Sequence, residues 1–287
     1  MADAPSLLCL RGDLVVIGKA PDGDSIRFVP DTPSLLEDLS RADRIRRSRE
    51  DGSVQLRLEG IDAPETGYGP GGQPLGAEAA ARLLELAGFE RVTRAPGSNR
   101  VTAAEPTSRP AAVLSRLADA NGRPVCFLLV GRGLPPDGEW VPVDVQSTLN
   151  DALLRDGSAY LTLYDSLAPP LRRRLRATAR AARDAGEGVW AVDATPEFTL
   201  ADRASIGPEG QLILPKLYRR ATDYLRTRTP GQTLPGWLRT TGDADRPEDD
   251  RVIVDGRVRT RLSELVEQRN ETIAFSGDLL DLVFVEK

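Results

Sequence analysis

Three carboxylates and two arginines in this chain are spaced for phosphodiester chemistry. Asp24 follows the tight-turn pair Asp22-Gly23 at the start of one strand-like run, and Asp62 and Glu65 flank Ala63-Pro64 at the end of another. Arg57 lies within that second run, and Arg123, in Asn121-Gly122-Arg123-Pro124-Val125, opens a third. Hydrolysis of a phosphodiester needs a cation to neutralise the phosphate, a carboxylate to orient water, and fixed donors for the charge that develops in the transition state. Asp24 with Asp62 offers the all-oxygen ligation preferred by a hard cation such as calcium. Glu65 offers the water-orienting carboxylate. Arg57 and Arg123 offer planar, permanently charged forks that match phosphate oxygens. Taken singly, Asp-Gly-Asp is equally the chemistry of a hairpin turn, and Asp-Ala-Pro-Glu is scarcely more specific. Only together do they point to hydrolysis. The chain has no histidine, so the commonest general base and imidazole ligand is absent.

The elements that must position these groups are partly readable. In Val54 to Thr66, V-Q-L-R-L-E-G-I-D-A-P-E-T, Val54, Leu56 and Leu58 alternate with Gln55, Arg57 and Glu59. That is the period of a half-buried strand, with Arg57 pointing away from the core. Pro64 ends it in a turn that presents carboxylates. Residues 13–19 and 24–29 read as a hairpin. Residues 30–53 read as a polar insertion carrying R-A-D-R-I-R-R-S-R, with a short helix over 34–47. A glycine-rich loop at 67–74 precedes a helix over 75–87. Residues 92–110 are ambiguous, and strands are expected at 113–117 and 125–130. A short helix over 148–156 stops at Gly157, and a longer one over 169–185 begins with prolines and stops at Gly186. Its many arginines read most simply as a solvated face. Beyond a boundary near 193–196, the expectations are an amphipathic helix around Leu214, Leu217, Ala221 and Tyr224, an acidic loop at 242–250, and a hairpin over 251–260. A short helix at 262–269 and a strand-like end at 279–285 complete a small α+β unit.

With 287 residues, 40% apolar and 28% charged, the chain is long enough for one large or two ordinary globular domains. The formal net charge of −5 means that no global positive field draws in nucleic acid. Any polyanion site must be a local patch, and Arg44, Arg46, Arg47 and Arg49 of the insertion are candidates for it. No apolar run is long enough to span a membrane, and Met1 to Leu10 lacks the features of a secretory signal. The two cysteines, Cys9 and Cys126, are too few for a disulfide framework and lack zinc spacing. The expected compartment is the cytoplasm, with both thiols reduced and buried.

D-G-D-S at Asp22 to Ser25, R-L-E-G-I-D-A-P-E-T at Arg57 to Thr66, Gly122-Arg123, L-N-D-A-L-L-R-D-G-S-A at Leu149 to Ala159, and the arginine-rich helix ending in Gly188-Val189-Trp190 occur in that order. In this the chain resembles the staphylococcal nuclease-like (thermonuclease) domains over about 13–193. The resemblance implies an α+β fold: a five-stranded OB-fold β-barrel with about three helices. It also implies calcium-dependent hydrolysis of DNA or RNA phosphodiesters to 3'-phosphates and 5'-hydroxyls. By the same likeness, Asp24, Asp62 and the backbone carbonyl of Ala63 would be calcium ligands, Glu65 the general base, and Arg57 and Arg123 the phosphate clamps. Magnesium or manganese as substitutes, and DNA against RNA, stay open. Ala63 replaces a common threonine, Ala120 and Asn121 replace a lysine and a tyrosine, and Leu163 replaces a second stacking tyrosine, which bears on substrate preference. The expected organisation is a nuclease-like domain over 1–194, with the insertion at 30–53, and a C-terminal α+β domain over 195–287 that offers a site for a protein partner or ligand. The rival readings are a catalytically silent nucleic-acid-binding or scaffold module, and a nuclease regulated by its tail in a defence or stress system.

Overall fold

The computed structural model describes residues 5–69, 71–242, 248–256 and 258–286. Residues 243–247 of the expected acidic loop and Arg257 of the expected 251–260 hairpin lie outside that description. Strand Ser6–Val15 pairs antiparallel with both Arg27–Pro30 and Ser108–Ala118, and the latter with Pro124–Val130. The stretch 54–58 closes the ring. Its first piece, Val54–Gln55, pairs with Arg27–Pro30, and its second, Arg57–Leu58, runs parallel to Pro124–Val130. The result is the five-staved barrel expected of an OB-fold. Val54, Leu56 and Leu58 are fully buried inside it, as the period-two pattern requires.

Three helices brace the barrel: α1 (Gly76–Leu86), α2 (Leu149–Arg155) and α3 (Pro169–Asp184). The Thr148 side chain caps α2 by accepting from the Asp151 amide at 3.3 Å. Gly157, at φ +67°, ends that helix where a Cβ would stand 2.2 Å from the Glu187 carbonyl, so α2 and the end of α3 meet through glycine. Buried Asn150 ties α2 to the barrel. Its Nδ2 donates to the carbonyls of Glu59 at 2.9 Å and Cys126 at 3.0 Å, and its Oδ1 accepts from the Leu128 amide at 3.0 Å. The ambiguous 92–110 region becomes a hairpin of Glu90–Arg94 with Val101–Glu105, followed by the start of the long strand Ser108–Ala118.

Two expected helices do not form. In place of one helix over 34–47 there are a six-residue 3-10 helix at Pro33–Asp38 and a single turn at Ala42–Arg44. Leu36 and Leu39 are drawn into the core, Ser40 bridges to Leu117, and Arg41 turns left-handed at φ 62°. Pairing with the barrel strand overrides local helical propensity there. At 262–269, a turn at Leu262–Glu264 leads into strand Val266–Arg269, which pairs with Thr272–Phe275. The alternation of inward Val266 with outward Glu267 is a strand period.

The tail contributes α4 (Pro215–Thr227), α5 (Leu234–Thr240) and two small sheets. Its strand Leu282–Phe284 runs parallel to Leu163–Tyr164 of the barrel half and antiparallel to Arg251–Val254. Tyr160 and Val189 sit in the tail's hydrophobic cluster, while Leu280 and Val283 sit in the barrel's. The two halves therefore share both sheet and core. Asn150→Ala leaves the Glu59 carbonyl and the Leu128 amide without this partner, at roughly 1 kcal/mol or more each, while the Cys126 carbonyl keeps the Glu59 amide at 2.8 Å. It is expected to lower unfolding stability by about 2 kcal/mol, read by urea denaturation; a loss below about 0.5 kcal/mol would show that water replaces the side chain.

Candidate active site

The Asp22-Gly23-Asp24 turn lies directly on the turn after Ile61–Asp62. A Cβ on Gly23 would come within 2.5 Å of the Ala63 Cβ and 2.8 Å of the Ala79 Cβ, so only glycine lets the two acidic turns approach. Asp62 is 1% exposed, and its strand pairs with Tyr160–Leu161. Asp24 is half-buried, with Asp62, Arg57, Arg123 and a further arginine, Arg219, all near enough to influence its charge. Glu65 shares the corner: its carboxyl feels Arg219, Asp62 and Asp24. Thus the strand end and the two turns bring together Asp24, Asp62, Ala63, Glu65 and Arg57.

Arg219, on α4, is the residue that sequence reasoning missed. Its Nη2 donates to Asp62 Oδ2 at 2.8 Å and its Nη1 to Asp62 Oδ1 at 3.1 Å. The same Nη1 also donates to Glu65 Oε1. One guanidinium thus grips Asp62 with a bidentate fork and bridges it to Glu65. The electrostatics follow from this clustering. Burial pushes the Asp22 carboxyl up to about 7, helped by the negative charges of Asp24 and Glu65. Burial and the neighbouring Asp62 likewise raise Asp24, and burial raises Glu65 despite Arg219. Asp62 goes the other way: burial pushes it up, but Arg219, then Arg57 and Lys216, outweigh that and hold it below the usual range. Among the neighbouring acids, Asp62 is the one whose charged form the surrounding cations favour most.

Arg57 points out of the barrel, as expected, onto a pocket of about 160 Å³ lined also by Glu59, Asp119, Ala120, Asn121, Arg123, Tyr164 and the tail residues Lys216 and Arg220. Its guanidinium carbon lies 5.6 Å from the centre of the Tyr164 ring. Leu163 is buried in the barrel, and the aromatic that faces the pocket comes one residue later. Arg123 is aimed by Asp119, whose Oδ2 accepts from its Nε at 2.8 Å and whose Oδ1 accepts from its backbone amide at 3.0 Å. Arg44, Arg46, Arg47 and Arg49 do not join the acidic corner. All four are exposed on the insertion, which touches the same 119–123 turn: a Cβ on Gly122 would stand 2.0 Å from the Arg44 carbonyl oxygen.

The family described as staphylococcal nuclease homologue matches residues 55–192. The chain carries a staphylococcal nuclease-like domain. The match spans the nuclease-like domain from Arg57 through Glu65 and Arg123 to the end of α3, and leaves out Asp24, the insertion and Arg219. No curated protein matches the chain significantly. Among the described residues, no three His, Cys, Asp or Glu side chains are gathered as a ready-made metal cluster, and no helix is long and apolar enough to cross a membrane. The donor chemistry nevertheless fits a hard cation. The acids supply only oxygen, they are too buried to stay charged alone, and a positive group already sits between Asp62 and Glu65 in the form of Arg219.

Lys216 was missed for the same reason as Arg219: in sequence, both are polar residues on an amphipathic helix, and nothing local says that they turn inward; Tyr164, on strand Leu163–Tyr164, stands one place after the position that the family likeness pointed to. Asp22 had a signal, its place in Asp-Gly-Asp. Glu59, only 9% exposed, has its carboxyl pushed up to about 7 by burial, with Glu286 adding and Arg57 opposing. Because that folded value lies above the ordinary 4.5, folding takes up a proton between the two, and the stability gained is lost as pH rises through 7. Glu59→Gln is therefore expected to raise thermal stability relative to the unaltered chain more at pH 8 than at pH 5. Equal shifts at both pH values would contradict a buried, proton-holding Glu59.

Proposed function

We propose that this protein is a calcium-dependent nuclease that hydrolyses phosphodiester bonds of DNA or RNA. The observation that carries the reading is the convergence of Asp24, Asp62, Glu65 and Arg57 on one corner of a nuclease-like barrel, with Arg123 held at its edge. Asp24, Asp62 and the Ala63 carbonyl would hold the cation, which when bound neutralises phosphate charge and strengthens the field on the scissile bond. Magnesium or manganese would meet the same oxygens.

The chain's own residues would do the rest. Glu65, its carboxyl raised by burial, accepts a proton from the attacking water and fixes its direction. Arg57, backed by the Tyr164 ring, and Arg123, aimed by Asp119, donate to the phosphoryl oxygens as charge develops on them. The exposed arginines of the insertion extend positive charge outward from the Arg123 turn, giving a backbone track that the chain's overall charge does not. The buried free thiols of Cys9 and Cys126 agree with a reducing compartment such as the cytoplasm.

A second reading has one observation in its favour: Arg219 engages both Asp62 and Glu65, as a silent or tail-regulated relative would require. Plasmid nicking separates them. With calcium, nicking is expected, and it should stop with EDTA and fall about 10²–10⁴-fold in Glu65→Gln. Nicking that survives both treatments equally would remove Glu65 and the cation from the reaction. Replacing Arg44, Arg46 and Arg47 together by glutamate is expected to weaken single-stranded DNA binding about tenfold or more at low salt and to flatten its salt dependence. Unchanged affinity in a filter-binding titration would place the nucleic acid elsewhere.

A further inference from the structure

Arg219 uses three N–H bonds on the acids that the proposed reaction needs, and α4 is fastened where it must be to keep it there. The fastenings fall on or around the loop that follows Glu65. Tyr68 donates to Asp223 Oδ2 at 2.6 Å, and Gln73 Nε2 donates to the Ile213 carbonyl at 2.7 Å. The Tyr218 hydroxyl reaches the carbonyls of Gly71 and Gly72 at 3.2 and 3.1 Å. Gln73 is itself bound to Glu65, accepting from its amide at 3.2 Å. On the other side of Arg219, Lys216 and Arg220 pair with Asp250 at 3.5 and 3.1 Å, so these cations are held by the tail's own acid.

Resting on the reading as a cation-dependent nuclease, we propose that Arg219 is an internal plug: its guanidinium takes the charge-neutralising place that a divalent cation would take at Asp62 while also occupying the base Glu65, and α4 must withdraw it before the cation can bind. Two positive groups cannot share these oxygens, since each would lose the carboxylate charge that the other uses and both would face Arg57. The Asp62 carboxylate has each oxygen facing one nitrogen of the fork, so a ligand entering on that side displaces Arg219 rather than adding to it. A buried cation pairing is costly to break unless another cation replaces it. Cation binding and release of α4 are therefore one exchange, and whatever loosens the tail raises the affinity of the nuclease-like domain for its cation.

The test is calorimetric titration of calcium into the full chain and its variants at fixed ionic strength. Arg219→Gln is expected to bind calcium at least tenfold more tightly than the unaltered chain, with Arg219→Lys between them. Tyr218→Phe, which loosens α4 without touching an acid, should tighten binding by a smaller factor. Adding Asp62→Asn to Arg219→Gln should abolish the heat, locating the binding. Calcium affinity unchanged or weakened in folded Arg219→Gln overturns the plug, as does calcium heat absent from every variant; a fall in cleavage without a change in affinity would instead make Arg219 a resident substitute for the cation. Should Arg219→Gln lose its far-ultraviolet circular dichroism, Tyr218→Phe decides: no tightening there overturns the proposal. Nicking measured beside the titrations keeps the two readings apart. Tighter calcium binding without cleavage leaves the plug and removes the nuclease, whereas cleavage with the same calcium demand in all variants removes the plug alone.

Discussion

Four acidic side chains, Asp22, Asp24, Asp62 and Glu65, share one largely buried corner, and that concentration of like charge is tolerable only beside a positive group. Without compensation such acids take up protons, which is the direction in which Asp22, Asp24 and Glu65 are pushed. Asp62 escapes because Arg219 grips it from outside the barrel. Nearly everything distinctive about this chain, from the docking of α4 to the half-covered pocket beneath Arg57, follows from where that compensating charge comes from.

The acids are in that corner because one stretch serves both the barrel and the site. Leu56 and Leu58 lock the inward face of 54–58, the ring closes on either side of it, and the chain then passes into Asp62 and Glu65 with almost no freedom left. Asn150 fastens the same region from behind by accepting from one barrel strand and donating to two carbonyls. Precision at Asp62 is thus inherited from core packing, while Glu65 is held in addition by Gln73 of the loop that follows it.

Much of this was legible in the sequence wherever local and tertiary preferences agree. The alternation at 54–59, the glycine stops at 157 and 186, and the apolar spacing of Leu214, Leu217, Ala221 and Tyr224 each correspond to an element of the structure. The charged residues around the strand end at 62 were found because their types and order constrain one another. Where the two levels conflict, reading failed. Residues 34–47 read as a short helix, but Leu36 and Leu39 are pulled into the barrel, and Val266 begins a strand because Thr272–Phe275 is there to pair with it. Arg219 was invisible for a different reason: a single sequence does not say which of two adjacent arginines on a helix faces an acid 157 positions away.

Leu163 and Val283 stand opposite each other in neighbouring strands although 120 residues of chain separate them. The barrel itself closes loops of that order, bringing Ser6 opposite Pro142, and the entropic cost of closure rises only slowly with loop length. Sequence distance therefore gives neither the barrel nor the tail strand precedence, and the seat beside Tyr164 is as much a part of the fold's long-range framework as the barrel seam.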